Sequence, residues 1–422
     1  MRGGPAQRGL SLLLGLAGSL LLFSCGSSSL ATPQPHSSAS TASRTAAAQT
    51  TLHAVSGALL SSDRPSYQRQ LSSQDPEFTA TTARIFDNLT VMPLRLLDFH
   101  VRPLARELTA QRRALLGPSA WVQQVAVTWQ LVGDSGPAQH LLWITFRVQG
   151  GSTSIAGTSD GPTDTGSRPL WLVERVASQR AGRVTVVVAE GRSTDVWARR
   201  GKAAAAAARH HLTAGLGAGW RGDLVLEVPA DRRGFERVLG VTPGSYAQIA
   251  AVAWPEGPDA ATAAVRIVVN SDLASQLDES GLAVLLAHEA THAATRSAAS
   301  PAPMWLVEGF ADYVAYAAYP RTAGAAADVA LSTVRSQGTP QALPTDDEFS
   351  ATNPDLRLAY AESWLACRLL AEEFSAEQLN RFYLEVDSGS AVEVALRSIF
   401  SLSVPEFTSR LRGYLQKAAQ GR

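Results

Sequence analysis

Residues 282–294 read Leu-Ala-Val-Leu-Leu-Ala-His-Glu-Ala-Thr-His-Ala-Ala, an apolar segment that carries two histidines and one glutamate. On an α-helix, residues four positions apart lie on one face, so His288 and His292 present their imidazoles one turn apart. Two imidazoles placed in this way bind one zinc ion, and Glu289 points to the side, where it can take a proton from a water molecule at the metal. The segment therefore predicts a buried helix that carries a zinc site.

Residues 304–313 supply the other groups that such a site needs. A catalytic zinc ion takes three protein ligands and keeps one position open. Glu308 follows His292 by 16 residues, which is enough for one helix to end, a proline-containing loop to turn and a second helix to begin. Asp312 lies one helical turn after Glu308, where it can accept the free ring N–H of a ligand histidine. We therefore expect Glu308 as the third ligand and Asp312 as the carboxylate that supports a histidine.

Together the two segments resemble the gluzincin metallopeptidases, in particular the bacterial peptidase MA-like branch related to the thermolysin and M1 aminopeptidase families. The pattern that carries the resemblance is His288-Glu289-x-x-His292 followed by Trp305-Leu306-x-Glu308-Gly309-x-Ala311-Asp312-Tyr313. It covers residues 270–319, and the order of elements is similar over residues 183–418. The resemblance implies one zinc ion per chain, held by His288, His292 and Glu308. It also implies that Glu289 is the general base and proton shuttle and that peptides or proteins are the substrates.

The same resemblance points to a tyrosine farther along the chain. M1-like relatives stabilise the oxyanion of the tetrahedral intermediate with a tyrosine on a later helix. Residues 358–364 resemble that helix, which makes Tyr360 the candidate. Tyr313 and Tyr316 are alternatives, and Tyr360 could also be a packing residue. The Gly-x-Met-Glu-Asn strand of the M1 enzymes has no counterpart before the zinc motif, so the sequence does not support aminopeptidase activity specifically.

The first 25 residues indicate export. Arg2 and Arg8 form a positively charged region before an apolar run over residues 10–23, which is short for a membrane span. The run ends in Leu-Phe-Ser-Cys at residues 22–25, which resembles a bacterial lipobox and implies that Cys25 is lipidated and becomes the mature N-terminus. The protein would then be anchored to the membrane on its extracytoplasmic side. The alternatives are an ordinary cleaved signal, hence secretion, and an uncleaved anchor. Residues 26–51 are rich in Ser, Thr, Ala, Pro and Gln and predict a flexible spacer.

The remainder of the chain predicts an α+β protein of two domains. In the first, over residues 52–180, helical spacing is followed by alternation typical of strands, an order that resembles nuclear-transport-factor-2-like domains. Its predicted elements are helices over 74–97 and 102–116, strands over 125–131, 142–148 and 170–176, and an exposed loop over 150–167. The second is the gluzincin-like domain, over residues 183–420, with a small sheet and a mostly helical C-terminal half. Its predicted strands are 184–189, 224–228, 247–254 and 265–269, and its predicted helices are 194–216, 280–297, 305–319, 322–336, 356–374, 376–386, 390–401 and 405–418.

Charge and cysteine content exclude several classes of protein. Lys and Arg total 37 and Asp and Glu also total 37, so the net charge of zero gives no basic surface for nucleic acid. Two cysteines are too few for a disulfide-dense scaffold or a cysteine-rich metal cluster. Cys367 lies in an apolar helical segment and is expected to be an inert buried thiol. His210 and His211 are adjacent and would point about 100° apart on a helix, which makes them poor chelators.

The sequence thus predicts an exported, zinc-dependent metallopeptidase. The alternative from another class is a non-catalytic cell-surface lipoprotein that keeps a zinc-peptidase fold for binding or assembly. A lost base or a lost third ligand would favour that alternative, and Glu289 and Glu308 are both present.

Overall fold

The structure is a computed structural model that describes residues 38–162, 166–212, 220–350 and 353–421. It has the α+β class that the sequence predicts, with two sheets and a helical C-terminal half. The predicted export segment with Cys25 and residues 26–37 of the predicted spacer lie outside the described residues. No helix in the described part of the chain has both the length and the apolar character needed to cross a membrane.

The first helix, α1 (Ser38–Leu60), begins inside the segment that the sequence predicts as a flexible spacer. The spacer prediction is therefore wrong for residues 38–51. Ala48, Leu52, Val55 and Leu59 recur at intervals of three or four residues and are all buried, so they give the helix one packed face. The many Ser, Thr and Ala residues between them give the segment the composition of a spacer, although its buried residues have helical spacing.

Three more helices and a four-stranded antiparallel sheet follow α1. The helices are α2 (Arg64–Arg69), α3 (Pro76–Val91) and α4 (Ala110–Leu116). The strands are β1 (Leu94–Arg106), β2 (Trp121–Leu131), β3 (Ala138–Gln149) and β4 (Ser152–Gly157), and they pair in the order β1-β2-β3-β4. The predicted strands over 125–131 and 142–148 are confirmed within β2 and β3.

Other predictions in this region are confirmed only in part or are wrong. The predicted helices over 74–97 and 102–116 contain α3 and α4, but residues 94–97 and 102–106 belong to β1. In that strand Leu97, Phe99 and Val101 alternate with exposed residues and pack inward. The predicted loop over 150–167 contains β4, because Gly150 and Gly151 have φ of 57° and 79° and turn the chain back at once. The predicted strand over 170–176 is a short helix, α5 (Leu170–Val173).

The second sheet has five strands, β5 (Val176–Ala181), β6 (Val184–Ala189), β7 (Leu224–Val228), β8 (Ala251–Glu256) and β9 (Ala264–Val269). Their order is β5-β6-β7-β9-β8, with parallel pairs in the middle and antiparallel pairs at both ends. The edge strand β8 therefore pairs with β9 alone. Helix α6 (Thr194–His211) connects β6 to β7, and α7 (Arg232–Leu239) follows β7.

Both faces of the second sheet are buried, as expected for parallel strands of nearly continuous β-branched residues. Val186 and Ile267 pack into the core formed with the C-terminal helices. Val187 and Val268, on the opposite face, share a core with residues of the first sheet, among them Trp129. The described residues from 47 onward form one compact unit, so the core continues across the boundary that the sequence places at residues 180–183. The structure has one unit there where the sequence predicts two domains.

The C-terminal half is helical, close to the predicted bounds. Its helices are α8 (Ser271–Ala274), α9 (Glu279–Thr295), α10 (Met304–Ala318), α11 (Ala323–Gln337), α12 (Leu356–Glu373), α13 (Ala376–Asp387), α14 (Val392–Phe400) and α15 (Val404–Ala419). Helices α10 and α12 cross closely at Gly309, where an added Cβ would lie 2.4 Å from the backbone oxygen of Ser363. This close crossing brings residues of α12 to the motif-bearing helices.

Candidate metal centre

Helix α9 carries the first three residues of the candidate site and is fixed by its buried face. Asp278 caps its N-terminus, accepting the N–H of Gly281 at 2.7 Å. Leu282, Leu286 and Ala290 recur every four residues and are buried in the helical core. His288 and His292 lie on another face, each less than one-tenth exposed. The local sequence therefore builds an anchored helix that presents two imidazoles on a single face.

Three possible ligand atoms converge between α9 and α10. The Nε2 atoms of His288 and His292 are 2.8 Å apart. Each of them lies 3.2 Å from Oε2 of Glu308. In the described part of the chain these three side chains form the group of His, Cys, Asp and Glu residues that could hold a metal ion. The structure thus brings together the two histidines and the glutamate that the sequence predicts as ligands.

Asp312 lies behind the first histidine. Its Oδ1 is 2.7 Å from Nδ1 of His288, within hydrogen-bonding distance. A carboxylate at that nitrogen assigns the ring proton to Nδ1 and leaves a lone pair on Nε2, the atom that faces Glu308. The contact is the one that the spacing of Glu308 and Asp312 predicts.

The charges of the cluster support one another. Burial by itself lowers the pKa of His288, but the carboxylates of Asp312 and Glu308 outweigh it and hold that pKa well above its usual value. Burial raises the pKa of Glu308, and the two histidines reverse this and hold it well below its usual range. A carboxylate in this position is stabilised by positive charge, whether the charge is a proton on the imidazoles or a cation among the three donor atoms.

Glu289 faces the edge of the second sheet. Its Oε2 accepts the backbone N–H of Ala253 on β8 at 2.7 Å. The described residues give its other oxygen, Oε1, no hydrogen bond. Burial raises the pKa of this carboxyl, against the opposing effect of His288 and His292. Glu289 is therefore held at one oxygen beside the ligand cluster, with a raised affinity for a proton.

Tyr360 on α12 also lies beside the cluster of His288, His292 and Glu308. Its ring lies 6.3 Å from that of His288, centre to centre, and its hydroxyl is buried near the carboxylates of Glu308, Asp312 and Glu289. Burial and the three nearby carboxylates raise the pKa of its hydroxyl well above the usual value, so the group remains a donor. Of the alternatives, Tyr316 packs on Trp364 with ring centres 4.6 Å apart, and Tyr313 packs on Phe310 at 6.5 Å. The sequence candidate Tyr360 is thus the tyrosine that contacts a ligand residue.

Two parts of the site have no signal in the sequence. Ala253 contributes through its backbone N–H, which any residue except proline could provide. Phe349 packs edge-on against Tyr360 with ring centres 5.4 Å apart, and it belongs to a short 3₁₀ turn far from the motifs. Cys367, in contrast, is fully buried as predicted, and burial raises the pKa of its thiol.

Comparison of the chain with protein-family models and with curated proteins finds no match.

Proposed function

We propose that this protein is a zinc-dependent metallopeptidase of the gluzincin type that hydrolyses peptide bonds outside the cytoplasm. The observation that carries the proposal is the convergence of His288, His292 and Glu308 at mutual distances of 2.8–3.2 Å, with Glu289 and Tyr360 beside them. Each of these residues comes from one of the two motifs or from the later helix that resembles the gluzincin pattern. Export and lipid anchoring at Cys25 form part of the proposal and rest on the sequence of residues 1–25.

The donor atoms fit a zinc ion in kind and in spacing. Two imidazole nitrogens and one carboxylate oxygen make a typical ligand set for catalytic zinc. Ligands about 2.0–2.1 Å from a tetrahedral ion lie about 3.4 Å from one another, and the three donor atoms lie 2.8, 3.2 and 3.2 Å apart. Lone pairs at this spacing repel unless a cation lies between them. A supported His288 ring adds the contact that zinc ligands usually have.

The other residues of the site have roles that follow from their contacts. A zinc ion bound here would supply Lewis-acid chemistry, polarising the scissile carbonyl and acidifying water. Glu289 keeps Oε2 on the N–H of Ala253, so Oε1 is the atom placed to take the proton of the attacking water and pass it to the leaving amine. Its raised pKa suits both transfers. The hydroxyl of Tyr360 is a donor for the developing oxyanion, and Asp312 keeps His288 in the ligating tautomer.

The first test is metal content. We expect about one zinc per chain of the purified full-length protein by inductively coupled plasma mass spectrometry, and loss of that zinc in His292→Ala. No zinc in either protein after reconstitution would contradict the proposed centre.

The second test separates binding from catalysis. Glu289→Gln is expected to keep its zinc and lose hydrolysis of an unfolded protein such as casein, while 1,10-phenanthroline abolishes hydrolysis by the unaltered protein. Glu279→Gln is a matched control on the same helix, because Glu279 is 75% exposed and pairs with Arg200. Full peptidase activity in Glu289→Gln would refute the proposed mechanism. Zinc without hydrolysis of casein or peptides would favour the non-catalytic lipoprotein.

A further inference from the structure

Arg266 on β9 is a fully buried cation at the centre of four elements. Its guanidinium meets Asp134 at 2.8 Å, Glu227 at 2.9 Å and Glu256 at 2.7 Å. Exposure of these side chains ranges from 0% to 7%. The guanidinium carbon also lies 5.4 Å from the ring centre of Trp129, on β2. None of these residues takes part in the candidate metal centre.

The three carboxylates come from separate parts of the fold. Asp134 lies in the turn between β2 and β3 of the first sheet, Glu227 on β7, and Glu256 at the end of β8. Burying one cation with three acids costs a large desolvation free energy, and an apolar cluster of the same size would stabilise a fold at least as well. Such a cluster does define one geometry, because each bond to the planar guanidinium has a fixed direction.

That geometry fixes the position of β8. Glu256 attaches the end of this edge strand to Arg266, and the turn of the first sheet contacts the adjoining strand β9. Val265 donates its N–H to Ser135 Oγ at 3.2 Å, and Ala264 donates its N–H to the carbonyl of Pro137 at 3.0 Å. An edge strand has a neighbour on one side only, so the position of β8 depends on β9 and on the contact between Glu256 and Arg266.

The strand in turn holds Glu289. Ala253 lies three residues before Glu256 on β8, and its N–H donates to Glu289 Oε2 at 2.7 Å. A displacement of about 1 Å at a catalytic group is enough to cost about a hundredfold in rate. The chain of contacts therefore runs from Asp134 through Arg266 and Glu256 to β8, and from β8 to the carboxylate of Glu289.

We propose that Asp134, Arg266 and Glu256 are positioning residues for Glu289, and that the first sheet is for this reason a built-in part of the catalytic site. The inference rests on the proposed function for its effect on rate, but the coupling of Asp134 to β8 is a property of the fold and is measurable without a substrate.

The experiment uses the full chain with Asp134→Asn, which removes one charge and keeps the shape of the side chain. We expect kcat for a peptide substrate to fall about 10- to 100-fold, with KM within about twofold and the zinc content unchanged. Amide hydrogen exchange should become faster in residues 251–256 and remain unchanged in residues 282–294. Asp223→Asn is the matched control, since it removes an aspartate from a pair with Arg183 that is 36–48% exposed. Asp223→Asn should leave kcat, KM, the zinc content and the amide hydrogen exchange of both segments unchanged.

A double-mutant cycle tests the last link of the chain. Ala253→Pro removes the N–H that holds Glu289, and β8 already contains Pro255, as edge strands tolerate. If Asp134 acts through that N–H, Asp134→Asn should cost little further kcat in the Ala253→Pro protein. Two losses that multiply in full would overturn the proposal. An unchanged kcat in Asp134→Asn, with unchanged amide exchange in residues 251–256, would also overturn it. So would an Asp134→Asn protein that loses its zinc and exchanges its amide hydrogens faster throughout the chain. If the unaltered protein shows no hydrolysis, the proposed function fails, and the exchange of residues 251–256 decides the coupling by itself.

Discussion

Replacing Glu256 by glutamine is expected to stabilise the protein, by an amount that increases with pH. Glu256 is 8% exposed and its carboxyl lies among Arg266, Glu227 and Asp134. Burial raises its pKa from 4.5 to about 8, since the two other carboxylates add to the desolvation and Arg266 offsets only part of it. Glutamine keeps the size of the side chain and one oxygen to accept from Arg266, and it has no proton to lose.

The magnitude follows from the two pKa values. Between pH 4.5 and pH 8 the folded protein keeps the Glu256 proton and the unfolded chain releases it, so the free energy of unfolding falls as the pH rises. Each pH unit in that window is worth about 1.4 kcal/mol for one group. The advantage of the glutamine protein should therefore grow by about 2–3 kcal/mol from pH 5 to pH 7, and by about 1–2 kcal/mol more at pH 9. Above pH 8 both states are ionised and the difference becomes constant.

Urea unfolding of both proteins at pH 5, 7 and 9 measures this difference. Equal m-values would show that the substitution leaves the unfolding reaction the same, and the midpoints then give the change in free energy. Titrations of groups that do not interact with Glu256 occur in both proteins and cancel in the difference. A difference in unfolding free energy that stays constant from pH 5 to pH 9 would refute the reasoning, because it would mean that Glu256 is already ionised in the folded protein at pH 5.

Three further substitutions test separate parts of the site. Asp312→Asn removes the charged acceptor that lies 2.7 Å from Nδ1 of His288. The zinc affinity, measured in competition with a chelator, should fall about 10- to 100-fold. An unchanged affinity would mean that the carboxylate does not support the histidine. Tyr360→Phe should keep the zinc and lower kcat about 100- to 1,000-fold, and wild-type kcat would assign the hydroxyl a packing role. Gly309→Ala would place a Cβ 2.4 Å from the backbone oxygen of Ser363 and should destabilise the protein by about 1–3 kcal/mol in urea unfolding. Gly324→Ala, where nothing lies within 4 Å, is the control and should not destabilise.

The sequence predicts the ligand cluster well because its geometry is local. Four residues on a helix define one turn, so the relation of His288 to His292 and that of Glu308 to Asp312 follow from spacing alone. The seven helices predicted after residue 270 are found to within a few residues for the same reason, while the short α8 is not predicted. The helix predicted over residues 280–297, for example, is Glu279–Thr295, with Asp278 as its cap. Hydrophobic periodicity and helix capping both depend on residues that are close together in the sequence.

The failures occur where structure depends on distant partners. Residues 94–97 and 102–106 are predicted as the adjoining ends of two helices, yet they belong to β1 because β2 pairs with that strand. The predicted boundary near residue 180 follows a change in local pattern, whereas the shared core joins Trp129 to Val187 and Val268. Propensity and periodicity describe one segment at a time, and tertiary pairing overrides them.

Arg266 is the clearest example of a residue whose environment depends on a distant partner and is not predicted from the local sequence. In the sequence it stands between Val265 and Ile267, where an alternating strand would place it on an exposed face. It is buried because Asp134, 132 residues earlier, lies against it. The proposed metal-binding motif is thus local in sequence, while the proposed support of Glu289 is distant and has no motif. A related chain could retain every motif residue and lose the partner of Arg266. Its zinc affinity would remain, since Asp312 and the two helices are untouched, and Glu289 would lose its fixed position. Under the proposed function, residues outside the motif would therefore decide between zinc binding without turnover and turnover itself.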